Sequence, residues 1–302
     1  MVTSSIYNRS FWNAMRGKKH EVNDLSEGAD SAGSFLLPGE FREKFNAALE
    51  KDNLFRRLAT VIQASFTDGT IQAVASTGSA EWVPESTAIP ESSDTFMQFP
   101  IKSYKLASLT RLKEGFVNDI NFNLERYLLK EYTRRFGKAE ENAFINGDGI
   151  TRPSGILSTS GGEIGITAAE AAKIAYDEVV KLYFSLKAEY RANAVFLMHD
   201  ETAMFLRTLK DNSGTPLWNS SNDTIFSKPV VTSSSMPSIA AGSKPIAFGD
   251  LSYYWVIERR PLSVMRLSEL YAREGQIGFS AYERMDGRLI MPEAVKVMQM
   301  AE

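Results

Sequence analysis

The chain has 302 residues, of which 43% are hydrophobic, so it can bury a large core as one domain or as two smaller ones. It contains no cysteine, which excludes disulfides, thiolate metal sites, iron–sulfur clusters and cysteine nucleophiles. The net charge of −3 gives no sign of a basic stripe for strong nucleic-acid binding, and no apolar run is long enough to cross a membrane.

Residues 1–39 are predicted to be the least globular part of the chain. The segment YNRSFWNAMRGKKH combines aromatic and basic residues, and a polar stretch rich in Ser, Gly, Asp and Glu follows it. Only the end of this region, around Phe35 and Leu36, is apolar. The simplest interpretation is a poorly ordered terminus.

The next region is predicted to contain a helical segment followed by a long hairpin. Apolar residues recur at helical spacing over residues 39–62, with a break expected near Asp52 and Asn53. Two extended segments, 64–75 and 95–113, then flank a polar stretch that contains prolines. Because a hairpin of this length has little core of its own, we expect either an ordinary surface hairpin or one that packs on a neighbouring molecule.

Residues 118–157 carry the strongest pattern, that of one long amphipathic helix ending in a glycine-rich loop. One face is predicted to carry apolar residues at spacings of three and four: Leu124, Leu128, Tyr132, Phe136, Ala139 and Ala143. Asn118 or Asp119 can cap the start of the helix. Gly147 and Gly149 can adopt the left-handed conformation that ends it. At 1.5 Å per residue the helix would be about 40 Å long.

Three residues near the end of this helix have more than one interpretation. Glu140 and Glu141 lie where the helix dipole disfavours acidic groups by about 0.3–1 kcal/mol each. They are expected either to be solvated on the outer face or to meet basic residues of a neighbouring subunit. Gly137 costs about 1 kcal/mol relative to alanine, which predicts either close packing or a bending point.

The remainder of the chain mixes helices and strands, which predicts an α+β fold. We expect a helical block at 166–192, a buried strand at 194–198 and a short helix that Asp200 caps. Further strands are predicted from Tyr253 and from Leu262, and extended segments close the chain.

No candidate active site or metal site emerges from these elements. His199, Asp200 and Glu201 are adjacent, but three consecutive residues cannot converge on one ion, and no second histidine lies nearby. The Gly-Asp-Gly loop at Gly147 closes a helix, whereas a Walker loop opens one and needs a lysine. We therefore predict no catalytic, metal-binding or cofactor-binding residues and no enzymatic activity.

Several motifs occur in a specific order along the chain. The long helix ends in E-x-x-A-F-I-N-G-D-G, and P-S-G-I-L follows; the hairpin carries A-E-W-V-P-E-S and P-E-S-S-D. The C-terminal half carries K-D-x-x-G-x-P-L-W, then G-D-x-x-x-Y, then R-x-D-G. Over residues 28–300 this order resembles the tailed-bacteriophage major capsid proteins, which are shell subunits with the Hong Kong 97-like (HK97-like) fold.

This resemblance implies a division of the chain into an arm, a loop and two domains. The arm would lie across a neighbouring subunit, and the E-loop would reach over the adjacent one. The implied parts are an N-terminal arm (1–39), a first part of the peripheral domain (40–62), the E-loop (63–103), the peripheral domain with the long spine helix and glycine-rich loop (104–154), the axial domain (155–260), the return of the peripheral domain (261–289) and the C-terminal strand of the axial domain (290–302).

By the same resemblance, the protein would be the structural major capsid protein of a tailed phage or prophage. Copies would assemble in the host cytoplasm into pentamers and hexamers of an icosahedral shell, the virion capsid, enclosing double-stranded DNA without sequence-specific binding. Expected partners are other copies of the chain, a scaffolding protein, a portal and, as a further candidate, a decoration protein. No membrane is expected.

The resemblance also implies which residues matter for assembly. The candidates for contact between subunits are Phe35, Leu36, Glu81, Trp82, Glu85, Glu140 and Glu141. The candidates for a conformational role are Gly137, Gly147 and Gly149. Some relatives crosslink their subunits through a lysine in the E-loop, but residues 76–95 contain no lysine, which predicts a noncovalent shell.

Two alternatives stay open at this point. An encapsulin nanocompartment shares the fold but loads protein cargo, and a soluble enzyme is the disfavoured reading from another class. The chain shows no N-terminal coiled-coil scaffolding segment of the kind that many relatives cleave. We therefore expect either a separate scaffolding protein or a processed or truncated form of the chain.

Overall fold

Two β-sheets packed against helices organise the chain in the computed structural model. The structure describes all residues except 1–2, 31–32, 65–68, 77–81, 85–94, 120, 211–213, 215, 217 and 220–221. The predicted α+β class is confirmed. None of the helices in these described parts is long and apolar enough to cross a membrane.

The secondary-structure elements are numbered in chain order. The helices are α1 (Ser5–Arg16), α2 (Gly39–Asp52), α3 (Leu54–Leu58), α4 (Glu114–Asn118), α5 (Leu124–Asn146), α6 (Tyr176–Ser185), α7 (Ala188–Arg191) and α8 (Asp200–Thr208). The strands are β1 (Phe35–Leu36), β2 (Thr60–Gln63), β3 (Gly69–Ser76), β4 (Thr95–Ile101), β5 (Tyr104–Lys113), β6 (Glu163–Thr167), β7 (Val195–Met198), β8 (Trp218–Asn219), β9 (Thr224–Ile225), β10 (Lys228–Thr232), β11 (Ile246–Gly249), β12 (Tyr254–Leu267), β13 (Gln276–Leu289) and β14 (Val295–Gln299).

The first sheet has the strand order β1-β12-β13-β5, and β2 pairs with β12 off this path. Strands β12 and β13 form an antiparallel pair of 14 residues each. The sequence predicts two strands here, one from Tyr253 and one from Leu262, with Pro261 between them. The structure has one continuous strand, and register shifts on either side of Arg260 accommodate the proline, which cannot donate to the ladder.

Helices α1, α2 and α5 pack against this sheet and bury the first hydrophobic core. Four of the six residues predicted for the apolar face of α5 point into it, and Leu124, Leu128, Tyr132 and Phe136 are each at most 1% exposed. The other two, Ala139 and Ala143, are half-buried and lie outside this core. The predicted break between α2 and α3 is confirmed at Asn53, whose side chain caps α3 by accepting from the first backbone N–H groups of that helix.

The N-terminal region is folded onto this core, so the expectations of a poorly ordered terminus and of an extended arm are wrong for α1. Tyr7 and Phe11 are at most 1% exposed because they lie in the same cluster as the apolar face of α5. Arg16 donates to the backbone oxygens of Val117 (3.3 Å) and Phe122 (3.1 Å). The aromatic residues of this region thus find hydrophobic cover within the chain itself.

Helix α5 starts later than predicted. Asn123, rather than Asn118 or Asp119, caps it by accepting a backbone N–H of the first turn. The preceding residues form the separate short helix α4, and Phe116 and Phe122 pack across the break with ring centroids 5.9 Å apart. The helix has 23 residues, which corresponds to about 35 Å.

The second sheet has the strand order β6-β14-β11-β7-β10-β9-β8. Strand β14 lies between β6, to which it is parallel, and β11, to which it is antiparallel. Helices α6, α7 and α8 contribute to the core on this sheet. The boundary predicted at residue 260 lies too late, because β12 begins at Tyr254 and belongs to the first sheet.

The helical block predicted at 166–192 is wrong in its first part, because α6 begins only at Tyr176. Glu178 provides the physical reason, since its carboxylate accepts from the backbone N–H groups of Ala169 (2.7 Å) and Ala175 (2.8 Å). These bonds hold the alanine-rich segment in a loop, although alanine has the highest intrinsic helix propensity.

A further hydrophobic cluster joins the two sheets. Phe55 of α3, Phe144 of α5 and Tyr254 of β12 pack with ring centroids between 5.0 and 5.6 Å apart. Val195 and Val297 of the second sheet belong to the same cluster. The two sheets therefore share a continuous apolar interior at the end of α5.

The predicted long hairpin is present as β3 and β4, which form a separate two-stranded sheet. A small cluster of Ala64, Ile101 and Ile257 packs at its base. The backbone N–H of Lys102, just after β4, donates to the carboxylate of Asp286 (2.7 Å). The base of the hairpin is thereby fixed to the first sheet.

Candidate functional site

The end of α5 and the loop after it form a hydrogen-bonded unit, which we call the α5 corner (residues 143–157). The backbone N–H of Ile156 donates to the oxygen of Phe144 (2.8 Å), and that of Leu157 donates to the oxygen of Ile145 (3.0 Å). A helix leaves its last carbonyls without partners inside the helix, and the returning chain supplies them. The P-S-G-I-L motif therefore closes the end of α5.

Two glycines of the α5 corner are required by close approach of the backbone. A Cβ atom on Gly147 would lie 1.8 Å from the oxygen of Pro153, and one on Gly155 would lie 2.3 Å from the oxygen of Ile145. Gly147 has φ −67°, so the predicted left-handed conformation is wrong there. It is confirmed at Gly149, which has φ 68°.

Asp148 holds the turn within the α5 corner. Its carboxylate accepts from the backbone N–H groups of Ile150 (2.9 Å) and Thr151 (2.9 Å) and from the Thr151 hydroxyl (2.7 Å). These bonds, led by that from Ile150, keep the pKa of Asp148 well below its usual range because they favour the charged form. The loop thus has a turn-forming role and no feature of a phosphate site.

A largely buried ionic cluster lies where α3 and α5 meet strands β12 and β13. It is formed by Arg56, Glu140, Glu258 and Glu283. The Arg56 guanidinium donates from Nε to Oε2 of Glu140 (2.9 Å) and from Nη2 to Oε1 (2.8 Å), and it also pairs with Glu258. Asn53 adds a hydrogen bond from Nδ2 to Oε2 of Glu140 (3.0 Å). Glu140 is 1% exposed, so the predicted contact with a neighbouring subunit is wrong for this residue.

Among the described residues, Glu283 is the member of the cluster that forms no ion pair. Burial raises its pKa well above the ordinary value, and the negative charge of Glu140 adds to this more than Arg56 offsets. Its Oε1 atom has no hydrogen-bond partner among the described residues. The side chain therefore retains a proton under conditions in which an exposed glutamate is ionised.

Glu141 also bonds within its own chain. It accepts from the hydroxyl of Ser233 and from the backbone N–H of Leu54 (3.4 Å). These contacts link α5 to α3 and to the segment after β10. They account for the acidic side chain near the helix end without a neighbouring subunit.

Gly137 lies where α5 crosses α2. A Cβ atom there would lie 3.3 Å from Cδ2 of Leu49, and the backbone oxygen of Gly137 accepts from Nδ2 of Asn53 (3.2 Å). Of the two interpretations, this geometry favours close packing. A bending role for Gly137 stays a prediction.

The segment before α2 is tied to the first sheet, which is not anticipated from the sequence. Phe35 pairs with Val264 and Leu36 with Ser263 in antiparallel register, and both side chains are half-buried. The carboxylate of Asp30 accepts from Nη2 of Arg260 (3.1 Å). Phe35 and Leu36 thus have partners in the chain itself, and a contact with a neighbour stays a prediction.

The hairpin carries the most exposed aromatic side chain among the described residues. Trp82 has a relative exposure of 103%, and Met97 on β4 is 46% exposed. Glu81 and Glu85, which are also candidates for subunit contact, lie outside the described residues. Trp82 therefore has no cover from the described part of its own chain.

A row of basic residues, the basic ridge, runs along the outer face of α5. The net charge of −3 gave no sign of such a row. Arg126, Lys130, Arg134 and Lys138 recur every four residues and are all exposed. The spacing is visible in the sequence, but the overall charge of −3 hides it. The four-residue spacing of these basic residues could have predicted the ridge from the sequence.

His199 has a structural role at the start of α8. Its Nδ1 accepts from the backbone N–H of Glu201 (3.2 Å), so His199 rather than Asp200 caps α8. Among the described residues, no group of His, Cys, Asp or Glu is arranged to hold a metal ion.

The family comparison matches the Phage capsid family model over residues 33–300. No curated protein sequence matches the chain at a significant level.

Many solved structures resemble the chain. The capsid of an empty GTA particle, computed with C5 symmetry, is 29% identical and has a TM-score of 0.72, covering 83% of this chain and 90% of that chain. The capsid of a native GTA particle, also computed with C5 symmetry, is 29% identical with a TM-score of 0.67, covering 82% and 90%. The Gordonia phage Cozz structure shares the fold at 13% identity, with a TM-score of 0.61 and coverage of 83% and 87%.

Proposed function

The chain belongs to the phage capsid family, and from this premise we propose that its copies assemble as pentamers and hexamers of an icosahedral shell around double-stranded DNA. The protein is a structural major capsid protein and not an enzyme. The observation that carries this function is the match of nearly the whole chain, with good structural overlap, to capsid subunits solved in fivefold-symmetric particles.

The described structure supports assembly through contacts that a single chain leaves open. Among the described residues, the hairpin of β3 and β4 packs on the first sheet at its base and through Phe99, which lies under Arg288, and Trp82 is fully exposed. Exposed tryptophan is costly in a free subunit and is enriched where protein interfaces are tightest. We assign residues 63–103 to the contact with an adjacent subunit.

The location of the protein is the virion capsid. Assembly in the host cytoplasm, with a separate scaffolding protein and a portal, is part of the proposal, as is a decoration protein on the outer surface. The division into peripheral and axial domains is proposed with one change. The second sheet and its helices, up to about residue 253, form the axial unit, and β12 begins the return.

Expression of the chain, followed by electron microscopy of the assembled fraction, tests this function. We expect closed isometric particles whose reconstruction shows fivefold and sixfold clusters of subunits. A protein that remains monomeric at high concentration, with and without a co-expressed scaffolding protein, would contradict the proposal. Nuclease-protected DNA inside particles supports a DNA shell, whereas a packaged enzyme would point to the encapsulin alternative.

A further inference from the structure

The basic ridge presents four cationic side chains on one face of α5: Arg126, Lys130, Arg134 and Lys138. Because each residue adds 1.5 Å to the length of a helix, neighbouring members of the ridge are about 6 Å apart along the axis. The row is then about 18 Å long. All four side chains are exposed. The ridge is therefore a long, narrow surface of one charge sign.

Most of this charge has no partner within the described chain. Among the described residues, Glu131 is the one carboxylate that pairs with the ridge, and it holds Arg134 (3.0 Å). Arg126, Lys130 and Lys138 take part in no ion pair of the described chain. These three side chains thus remain available to a partner.

Two further carboxylates, those of Asp52 and Glu141, line the groove between α2 and α5 beside the ridge. Glu141 already accepts from the hydroxyl of Ser233 and from the backbone N–H of Leu54. Asp52 is exposed at the end of α2 and pairs with no ridge residue in the described chain. Neither carboxylate neutralises a ridge side chain by direct contact.

The chemistry of this face suits a polyanion better than a protein partner. None of the large apolar side chains of α5, a helix that the structure describes completely, is exposed. The core of a protein interface is apolar and depleted in lysine, whereas contacts to phosphates rely on lysine and arginine and need no apolar surface. Along the duplex axis, a row of about 18 Å spans about five phosphates of one DNA strand.

We propose that the basic ridge binds the phosphate backbone of double-stranded DNA and that this face of α5 lines the inside of the shell. Phosphate contacts carry no sequence information, so the ridge accepts any enclosed duplex. Binding by these cations releases counterions from the DNA and therefore weakens steeply as salt rises. The inference rests on the proposed function, because the enclosed DNA is the ligand.

Titration of the purified, unassembled subunit with a short fluorescent duplex tests the ridge independently of assembly. Lys130→Gln with Lys138→Gln should weaken binding at least about tenfold at low salt and reduce the slope of log K against log salt by about 2, equally for two unrelated sequences. Lys181→Gln with Lys210→Gln removes the same charge from exposed positions outside the ridge and should leave affinity and slope unchanged. Circular dichroism verifies that each variant is folded. No loss for the ridge pair, or equal losses for both pairs, would overturn the inference.

Crosslinking in particles identifies the partner of the ridge. Because the chain has no cysteine, Lys138→Cys places a unique thiol there for an azide photo-crosslinker, and Lys181→Cys is the control. In nuclease-treated particles, we expect residue 138 to crosslink to DNA at least about tenfold more than residue 181. Equal crosslinking at the two residues would overturn the inference, as would DNA-filled particles in which residue 138 crosslinks only to protein. Particles without protected DNA would instead contradict the proposed function.

Discussion

The guanidinium of Arg56 and the carboxylate of Glu140 form a buried bidentate ion pair, with N–O distances of 2.9 and 2.8 Å. The pair joins α3 to α5 where the two sheets meet. It explains why an acidic residue is present near the end of α5, where the helix dipole opposes it.

Removing one partner of this pair should lower the free energy of unfolding substantially. Glu140→Gln leaves the Arg56 charge short of a partner in a buried site, so we expect a loss of about 3–5 kcal/mol in the free energy of unfolding. Urea denaturation of the unassembled subunit measures it. Glu131→Gln, which breaks the solvent-exposed pairs with Arg134 and Arg135 on the same helix, should cost less than about 1 kcal/mol. Equal losses for the two variants would refute the structural role of the buried pair.

The pH dependence of stability should report on Glu283. Its pKa is raised in the folded state by burial, so the folded protein holds a proton that the unfolded chain releases near its ordinary pKa of about 4.3. The stability this proton confers is complete below that value and is lost as pH rises through the raised pKa. Glu283→Gln should therefore flatten the fall in unfolding free energy with rising pH. The exposed Glu50→Gln is the control, and a curve for Glu283→Gln that is parallel to wild type would rule out this assignment.

Gly147 should tolerate no side chain. A Cβ atom there meets the backbone oxygens of Pro153 and Ala143 at 1.8 and 2.3 Å, and neither can move without opening the α5 corner. We expect Gly147→Ala to lower the midpoint of thermal unfolding and to reduce soluble yield. Gly115→Ala in α4, where a Cβ atom meets nothing within 4 Å, should instead stabilise by about 0.5–1 kcal/mol. If Gly147→Ala proved more stable than Gly115→Ala, the α5 corner would be able to accommodate a side chain at residue 147.

Phe55 should couple the two sheets. It lies between Phe144 and Tyr254, so Phe55→Ala leaves a cavity shared by both sheets and should cost about 3–5 kcal/mol. Hydrogen exchange should become faster in both β11 and β13. Phe184→Ala, on a side chain that is 64% exposed, should leave both strands protected. Faster exchange in one sheet alone would mean that the sheets unfold independently.

Periodicity and turn chemistry predicted the local elements of the chain well. The apolar face of α5, the break at Asn53 and the buried strand β7 follow from spacing and composition, which act over a few residues. The errors arise where distant residues decide the outcome. The late start of α6 is a different kind of error, because Glu178 accepts backbone N–H groups only three and nine residues before it, and helix propensity alone does not show this local cap.

Contacts between residues distant in the sequence also explain which candidate contact residues were predicted wrongly. Glu140 looked available for a neighbour because its cation, Arg56, is 84 positions away in the sequence. The N-terminal aromatics looked uncovered because β12, a strand that α1 packs against, lies more than two hundred residues further along the chain. Trp82 was a candidate because the hairpin resembles the E-loop, and the structure adds that its side chain is fully exposed.

The place of β14 has a consequence for synthesis of the protein. Strands β6, β7 and β11 leave the ribosome earlier, yet β6 reaches β11 only through β14. In a nascent chain, the position between β6 and β11 in the second sheet therefore stays unfilled until residues 295–299 have emerged. Products of premature termination that lack β14 leave β6 without the strand it pairs with, so we expect them not to complete the second sheet.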